Sequence, residues 1–346
     1  MTAIKRLGFI LFLFVSSQSY SQEFLKLSQE AEISLLTCTP GDEVYSVFGH
    51  SAVRVWDTGN RIDIVYNYGT FSYATENFMY KFLTRTLDFQ LSRQPYRYFE
   101  EEYREEERGV SQQVLNLRQQ QKQELFEALE KNYLPENRYY RYDHFFDNCA
   151  TRIRDILETT LGDDLEFRYN GIDSSQSFRK LIESYLNNYR WLDFGIDIGL
   201  GSPTDRSALP REFMFLPDYL YDIFSEARIS DTTALTGFVR KSEVLFPAVS
   251  GQKPSGTPLF LTPLFIFWIV FALALILTIQ NLHKKKVRLW FDLTWFFTLG
   301  VLGLVVFFLW FFTDHGVTEN NLNILWAVPV HFFAVFLLIP KRKPRF

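Results

Sequence analysis

Three long apolar runs in the last third of the chain restrict its possible folds more than any other feature. They cover residues 259–279, 289–312 and 322–339, and the first contains no charged residue. About 20 helical residues cross the hydrocarbon core of a bilayer, so the first two runs are long enough to span it. The third is marginal because it is the shortest and contains a proline. We therefore predict about three transmembrane helices within residues 258–346.

The N-terminus has the layout of a secretory signal peptide. Lys5 and Arg6 precede an apolar stretch at 7–15, and small residues follow it. This stretch is too short to cross a bilayer as a helix. We predict that residues 1–21 are removed and that residues 22–257 form an exported domain with its linker to the membrane.

Two basic clusters predict the orientation in the membrane. One lies at 284–288, between the first two apolar runs, and the other at 341–345, after the third. Lysine and arginine near membrane spans favour the cytoplasmic side. Three crossings then place residues 22–257 and the loop 313–321 outside. In a Gram-negative cell this predicts an inner-membrane protein with a periplasmic domain.

Composition excludes several classes of protein. The formal net charge is −4 and 22% of residues are charged, which argues against nucleic acid as a partner and against a disordered chain. The two cysteines are too few for a disulfide-rich scaffold or a four-cysteine zinc site. The sequence contains no HExxH, CxxC, Walker or GxGxxG motif. We therefore expect neither a metal nor a cofactor.

Local patterns in the exported part predict one α+β domain with a small antiparallel sheet. Residues 44–56 and 62–68 alternate like strands and are joined by a short turn, which is typical of a β-hairpin. Residues 25–36 and 118–133 have the apolar period of helices. The run 100–108 is rich in glutamate and is expected to be the solvated face of a helix.

Cys149 is the strongest candidate for a reactive side chain. It follows Asp147 and Asn148, which are good N-cap residues, and it begins a pattern that predicts a helix over 149–161. A thiol at this position faces unpaired N–H groups and the positive end of the helix dipole, which favour the nucleophilic thiolate. The alternatives are a buried structural cysteine and a disulfide with Cys38, because the periplasm is oxidising.

His50 is the natural partner for this thiol. It lies in a strand-like segment between Gly49 and Ser51, whose small side chains leave room for a substrate. An imidazole can accept a thiol proton near neutral pH. The alternative is an ordinary half-buried histidine of the sheet. His144, five residues before the cysteine, is expected to have a packing role.

Two motifs resemble one family when they occur together, namely Gly-His-Ser at 49–51 and Asn-Cys-Ala-Thr-Arg at 148–152. Further matching segments, in order, are 40–42, 66–71, 115–117, 137–143, 201–206, 215–218, 314–315 and 323–329. Together they resemble the Lnb-type lipoprotein N-acyltransferases of Bacteroidetes, which have a periplasmic domain followed by membrane helices. The resemblance extends over nearly the whole mature chain.

The resemblance implies transfer of a fatty acyl chain from a membrane phospholipid to the N-terminal amine of a diacylglyceryl-cysteine lipoprotein. The motif order is also similar to permuted papain-like enzymes of the lecithin–retinol acyltransferase and NlpC/P60 type. We therefore expect a permuted papain-like α+β domain, with Cys149 as nucleophile and His50 as base. Asn67, Asn148 and His315 are the candidates for orienting or auxiliary roles. The expected partners are the phospholipid donor, diacylated lipoproteins and the membrane.

Two other functional classes remain open from the sequence. A membrane-tethered cysteine peptidase or peptidoglycan amidase would use the same pair on an amide, and its helices would be anchors. A non-catalytic envelope assembly or sensor protein would not need Cys149. Dependence on phospholipid separates the first from an acyltransferase, and the effect of Cys149→Ser separates the second.

Overall fold

The computed structural model describes residues 24–230, 234–249, 256–285 and 288–338. The predicted signal peptide and the basic cluster at 341–345 lie outside these residues. The described strands are β1 (Glu32–Cys38), β2 (His50–Asp57), β3 (Ile62–Thr70), β4 (Asp88–Pro95), β5 (Val110–Leu115), β6 (Tyr139–Arg141), β7 (Leu165–Glu166), β8 (Arg228–Ser230), β9 (Leu235–Gly237) and β10 (Val239–Phe246). The described helices are α1 (Phe78–Leu83), α2 (Tyr96–Glu105), α3 (Gln119–Tyr133), α4 (Cys149–Leu161), α5 (Phe178–Leu186), α6 (Arg190–Gly199), α7 (Pro217–Glu226), α8 (Pro263–Lys284), α9 (Trp290–Phe311) and α10 (Val330–Leu338).

An antiparallel sheet forms the centre of the exported domain. Its strand order is β10-β5-β1-β2-β3-β4-β6, and β7, β8 and β9 form a separate small sheet. The predicted hairpin is present, since β2 pairs with β3 after a four-residue connection. The α+β class is therefore confirmed.

The predicted helix at 25–36 is wrong, because β1 begins at Glu32. This strand lies between β2 and β5, and six of its seven residues are buried. Burial on both faces of a strand produces a continuous apolar run, which cannot be distinguished from a helix by period alone.

Helices cover both faces of the sheet. On one face, α4 contacts β2 and β3 and packs beside α3 and α7. Leu125, Ile153 and Phe224 contribute to this core, and each is at least 97% buried. On the other face, Phe99 and Tyr103 of α2 pack with Leu36 of β1. The sheet thus holds α4, and with it Cys149, against the strand that carries His50.

Three segments are long and apolar enough to cross a membrane, namely Pro263–Lys284, Trp290–Phe311 and Gly316–Leu338. They coincide with the three predicted runs, and the third includes short helical turns before α10. Helix α9 approaches α10 and the segment just before it closely at two glycines. A Cβ on Gly300 would lie 2.1 Å from the backbone nitrogen of Phe332, and one on Gly303 would lie 2.2 Å from the carbonyl oxygen of Ala327. Small residues allow such close contact between membrane helices.

The loop between α9 and α10 docks on the exported domain. The N–H of Gly201 donates to the carbonyl oxygen of Val317, with 2.8 Å between nitrogen and oxygen. The Asn321 amide donates to the Ile198 carbonyl over 2.7 Å, and Asn321 is only 1% exposed. A Cβ on Gly201 would lie 1.8 Å from the Glu319 carbonyl oxygen, so this contact requires glycine. The exported domain and the membrane segment therefore share a tightly fitted interface.

Candidate active site

Asn148 caps α4 and fixes the position of the thiol-bearing first residue. Its Oδ1 accepts hydrogen bonds from the backbone N–H groups of Ala150 and Thr151, each over 2.9 Å. Its Nδ2 donates to the carbonyl oxygens of His144 and Phe215, at 2.7 and 2.8 Å. The side chain thus satisfies the start of the helix and joins it to two loops. Asn148 is a positioning residue with respect to the thiol.

His50 lies at the first position of β2, where Gly49 turns the chain into the strand. Gly49 has φ of +78°, and a Cβ there would lie 2.9 Å from the Cys38 carbonyl oxygen. The next strand, β3, brings Asn67 beside the imidazole, with 2.5 Å between His50 Nε2 and Asn67 Oδ1. Because Asn67 occupies Nε2, the other ring nitrogen, Nδ1, is left for the thiol. Two of the predicted residues are therefore brought together with Cys149.

The pKa shifts of Cys149 and His50 both favour the charged forms of the pair, a thiolate and an imidazolium. Burial raises the pKa of the Cys149 thiol, but the charge and hydrogen bond of His50 and the backbone N–H groups of Ser51 and Ala150 lower it below its ordinary value. Burial lowers the pKa of His50, but the charge and hydrogen bond of Cys149 and the Asn67 bond raise it above its ordinary value. Each group thus stabilises the charged form of the other.

Tyr142 is a neighbour of the thiol that the sequence patterns did not reveal. A Cβ added to Gly69 would lie 3.8 Å from Tyr142 Cδ2 and 3.9 Å from Cys149 Cβ, so the ring lies beside the cysteine. Burial and the charge of Cys149 raise the pKa of Tyr142 well above its ordinary value, so the hydroxyl stays protonated and can donate. Gly69 makes room for the ring, since a Cβ there would lie 3.1 Å from Tyr142 Cε2. Tyr142 lies in the segment 137–143, one of those that resemble the family, and this resemblance was the only indication of its importance in the sequence.

Cys38 lies behind His50 and does not form a disulfide with Cys149. Both cysteines are free and buried. The backbone of Cys38 pairs with that of His50 across β1 and β2. Burial raises the pKa of Cys38 to about 12, so this thiol is protonated at neutral pH. Nearby, the Tyr103 ring stacks on the imidazole of His50 with 6.5 Å between the ring centroids.

Arg85 connects the loop that carries Tyr142 and Asp143 with the loop between the membrane helices. Its Nε donates to the carbonyl oxygen of Tyr142 and its Nη1 to that of Asp314, each over 2.8 Å. Its Nη2 lies 3.1 Å from Oδ2 of Asp143. One guanidinium thus holds the backbone next to the thiol and the membrane-proximal loop together, which the sequence reasoning did not identify.

His315 lies at this interface but does not join the Cys149–His50 pair. It directly follows Asp314, whose N–H donates to the carbonyl oxygen of Thr84 at the end of α1 over 3.1 Å. The structure therefore places it where the membrane loop meets the exported domain, and its auxiliary role remains a prediction. Among the described residues, no group of three or more His, Cys, Asp or Glu side chains could hold a metal ion.

We predict that Asn67→Ala lowers the reactivity of Cys149 at mildly acidic pH. Loss of the bond to Nε2 destabilises the imidazolium of His50, so the pKa of the Cys149 thiol rises. At a pH below that pKa, each unit by which the pKa rises lowers the fraction of thiolate about tenfold. The rate of alkylation by iodoacetamide, followed by intact mass, measures this. Asn67→Asp keeps an acceptor and is expected to react at least as fast as the wild type. Equal rates for Asn67→Ala and the wild type would contradict an orienting role.

The fold and the site define a membrane protein whose exported α+β domain holds a Cys–His–Asn group beside its membrane helices. A sequence profile of the Lnb N-terminal periplasmic domain matches residues 18–184, and one of the Lnb transmembrane domain matches residues 255–346. The chain belongs to the Lnb family, and it is a membrane protein with a periplasmic domain. No curated protein and no solved structure matches it. The papain-like relationship and the domain limits at 21 and 257 remain predictions.

Proposed function

We propose that this protein is a lipoprotein N-acyltransferase that works through a thioester on Cys149. The observation that carries the proposal is the Cys149–His50–Asn67 group, with Cys149 and Asn67 buried and His50 half-buried, in an exported domain that is hydrogen-bonded to the loop of its own membrane segment. A thiolate nucleophile suits acyl transfer, and lipid substrates require a site at the membrane surface. Membership of the Lnb family supports the same function.

In the first step, the Cys149 thiolate attacks an ester carbonyl carbon of a phospholipid. The tetrahedral oxyanion forms close to the sulfur, where the Tyr142 hydroxyl and the backbone N–H of Ser51 are available as donors. The ester C–O bond then breaks, and the His50 imidazolium gives its proton to the leaving lysophospholipid oxygen. The products of this step are the acyl-thioester and a neutral imidazole.

In the second step, the N-terminal amine of a diacylglyceryl-cysteine lipoprotein attacks the thioester carbonyl. His50 accepts the proton that the amine loses, and the C–S bond breaks to release the thiolate. The amide product leaves the enzyme in its starting thiolate–imidazolium state. Both substrates are lipids with reacting groups near the headgroups, so docking the domain on the membrane segment raises their effective concentration at the site.

The proposal is tested by intact mass of the purified full chain in phospholipid micelles. We expect a fatty-acyl increment that hydroxylamine removes and that peptide mapping places on the peptide containing Cys149. Addition of a diacylated lipopeptide should remove the increment from the protein and add it to the lipopeptide. Cys38→Ser is the matched control and should behave like the wild type. Peptide or peptidoglycan cleavage without phospholipid, and no acyl increment, would support the cysteine peptidase or amidase instead.

A further inference from the structure

Helix α1 presents apolar side chains to its surroundings without burying any of them. Met79, Tyr80, Phe82 and Leu83 are 64%, 65%, 41% and 49% exposed, and no residue of the helix is buried. The one charged residue of the helix is Lys81. A short helix with this composition is unfavourable in water, and its surface matches that of segments that lie at a membrane interface.

Hydrogen bonds place the end of α1 at the level where a membrane helix leaves the bilayer. The N–H of Asp314 donates to the carbonyl oxygen of Thr84 over 3.1 Å, and Nη1 of the next residue, Arg85, donates to the carbonyl oxygen of Asp314 over 2.8 Å. Helix α9 ends at Phe311, three residues before Asp314. The apolar surface of α1 therefore lies beside the periplasmic end of α9, where lipid headgroups and the first acyl carbons are found.

A continuous row of aromatic rings leads from α1 to the nucleophile. The ring centroids of Phe82 and Phe78 are 5.9 Å apart, and those of Phe78 and Phe71 are 5.8 Å apart. The row continues from Phe71 to Phe89 at 5.2 Å and from Phe89 to Tyr142 at 4.6 Å. Tyr142 lies beside Cys149, since a Cβ added to Gly69 would lie 3.1 Å from the Tyr142 ring and 3.9 Å from Cys149 Cβ. We call these five rings the aromatic row.

We propose that α1 is immersed in the periplasmic leaflet and that the aromatic row guides one acyl chain of a phospholipid from that leaflet to Cys149. The role of the row rests on the proposed acyl transfer, whereas the immersion of α1 does not. Lipid is the occupant that the contacts favour, because α1 is bonded to the loop that emerges directly from a membrane span. Lys81 can keep its ammonium among lipid phosphates while its stem stays in apolar surroundings.

Immersion is tested with an environment-sensitive label. Met79→Cys is made in a Cys149→Ser background, where the remaining Cys38 is fully buried, and is labelled with a nitrobenzoxadiazole group. The full chain is reconstituted in vesicles of phosphatidylethanolamine and phosphatidylglycerol. We expect blue-shifted emission that doxyl-labelled phospholipid quenches and aqueous iodide does not. The control is Thr58→Cys, in the turn at the opposite end of β2 from His50. Iodide quenching of position 79 as strong as that of position 58 would overturn the immersion, and would be expected if a protein partner normally covers α1.

The path to the nucleophile is tested by a ratio of rates with Met79→Asp. The rate of acyl-enzyme formation from a long-chain phospholipid is divided by the rate from a short water-soluble ester. A charge in the leaflet disfavours immersion, so we expect the ratio to fall about tenfold, equivalent to about 1.4 kcal/mol. Met79→Leu should preserve the ratio. An unchanged ratio, or an equal loss with both esters, would contradict the path.

The two parts of the test separate this inference from the proposed function. If the label at position 79 is shielded but the unlabelled protein with Cys149 intact never forms an acyl-enzyme, the membrane position of α1 stands and the role of the aromatic row is refuted. If the protein with Cys149 intact forms an acyl-enzyme but iodide quenches the label at position 79, the proposed function stands and the immersion is refuted.

Discussion

Exchange of Cys149 for serine is expected to abolish transfer of an acyl chain from phospholipid to a diacylated lipopeptide. A serine hydroxyl ionises far less readily than a thiol, and His50 is arranged to stabilise a thiolate. Loss of the covalent nucleophile costs roughly 10⁶-fold in kcat in the serine protease subtilisin, which also forms an acyl-enzyme. The initial rate of lipopeptide acylation, measured by mass spectrometry, provides the comparison.

Cys38→Ser is the control for this experiment because Cys38 is the other cysteine of the chain and is fully buried. We expect its acylation rate to stay within a few-fold of the wild type. Acyl transfer that persists in Cys149→Ser would show that a thioester on Cys149 is not an intermediate of the reaction. Such a result would point to direct transfer between the two lipids or to a non-catalytic role of the domain.

Exchange of His50 for glutamine is expected to lower the initial rate of lipopeptide acylation by about 10³-fold or more. Glutamine cannot carry the positive charge that stabilises the thiolate, and it cannot transfer a proton. The pH dependence should also change. The lowered pKa of Cys149 means that the thiolate is lost as pH falls through that value. The raised pKa of His50 means that the imidazolium is lost as pH rises through it. We therefore expect a bell-shaped profile for the wild type, and its two limbs belong to the coupled pair.

The glutamine variant should lose this bell shape. Without the imidazolium, burial dominates the thiol of Cys149 and raises its pKa, so the residual rate should increase into the alkaline range. Rates across the full pH range, with folding checked by circular dichroism at each pH, measure the difference. A bell-shaped profile retained in His50→Gln would assign both limbs to groups other than this histidine.

The parts of the site that depend on local sequence could be predicted. Helix α4 begins at Cys149 because Asn148 is an N-cap, and this information lies within three residues. The closeness of His50 and Asn67 follows from a short connection between two alternating strands. Strand β1 could not be predicted, since its burial depends on β2 and on β5, which follows more than 70 residues later.

Contacts between residues far apart in the chain could not be predicted from local sequence patterns. Arg85 and Asp314 are 229 residues apart, and neither residue has neighbours that predict the pairing. The glutamate-rich run at 100–108 was only partly predicted. Its glutamates are mostly exposed, but Tyr103 is 5% exposed and Arg108 is 6% exposed. The charged character of the run therefore gave no indication that Tyr103 and Arg108 are buried behind His50.

The contact of Arg85 with the loop between α9 and α10 can form only late in the synthesis of the protein. The ribosome produces the exported domain first, and nearly 230 residues separate Arg85 from its carbonyl partner on Asp314. The guanidinium that holds the backbone of Tyr142 therefore gains this partner only after α9 has been inserted in the membrane. A nascent chain that has not yet reached its place in the bilayer lacks one support of the loop that carries Tyr142. Maturation of the site is thus tied to arrival at the lipid surface.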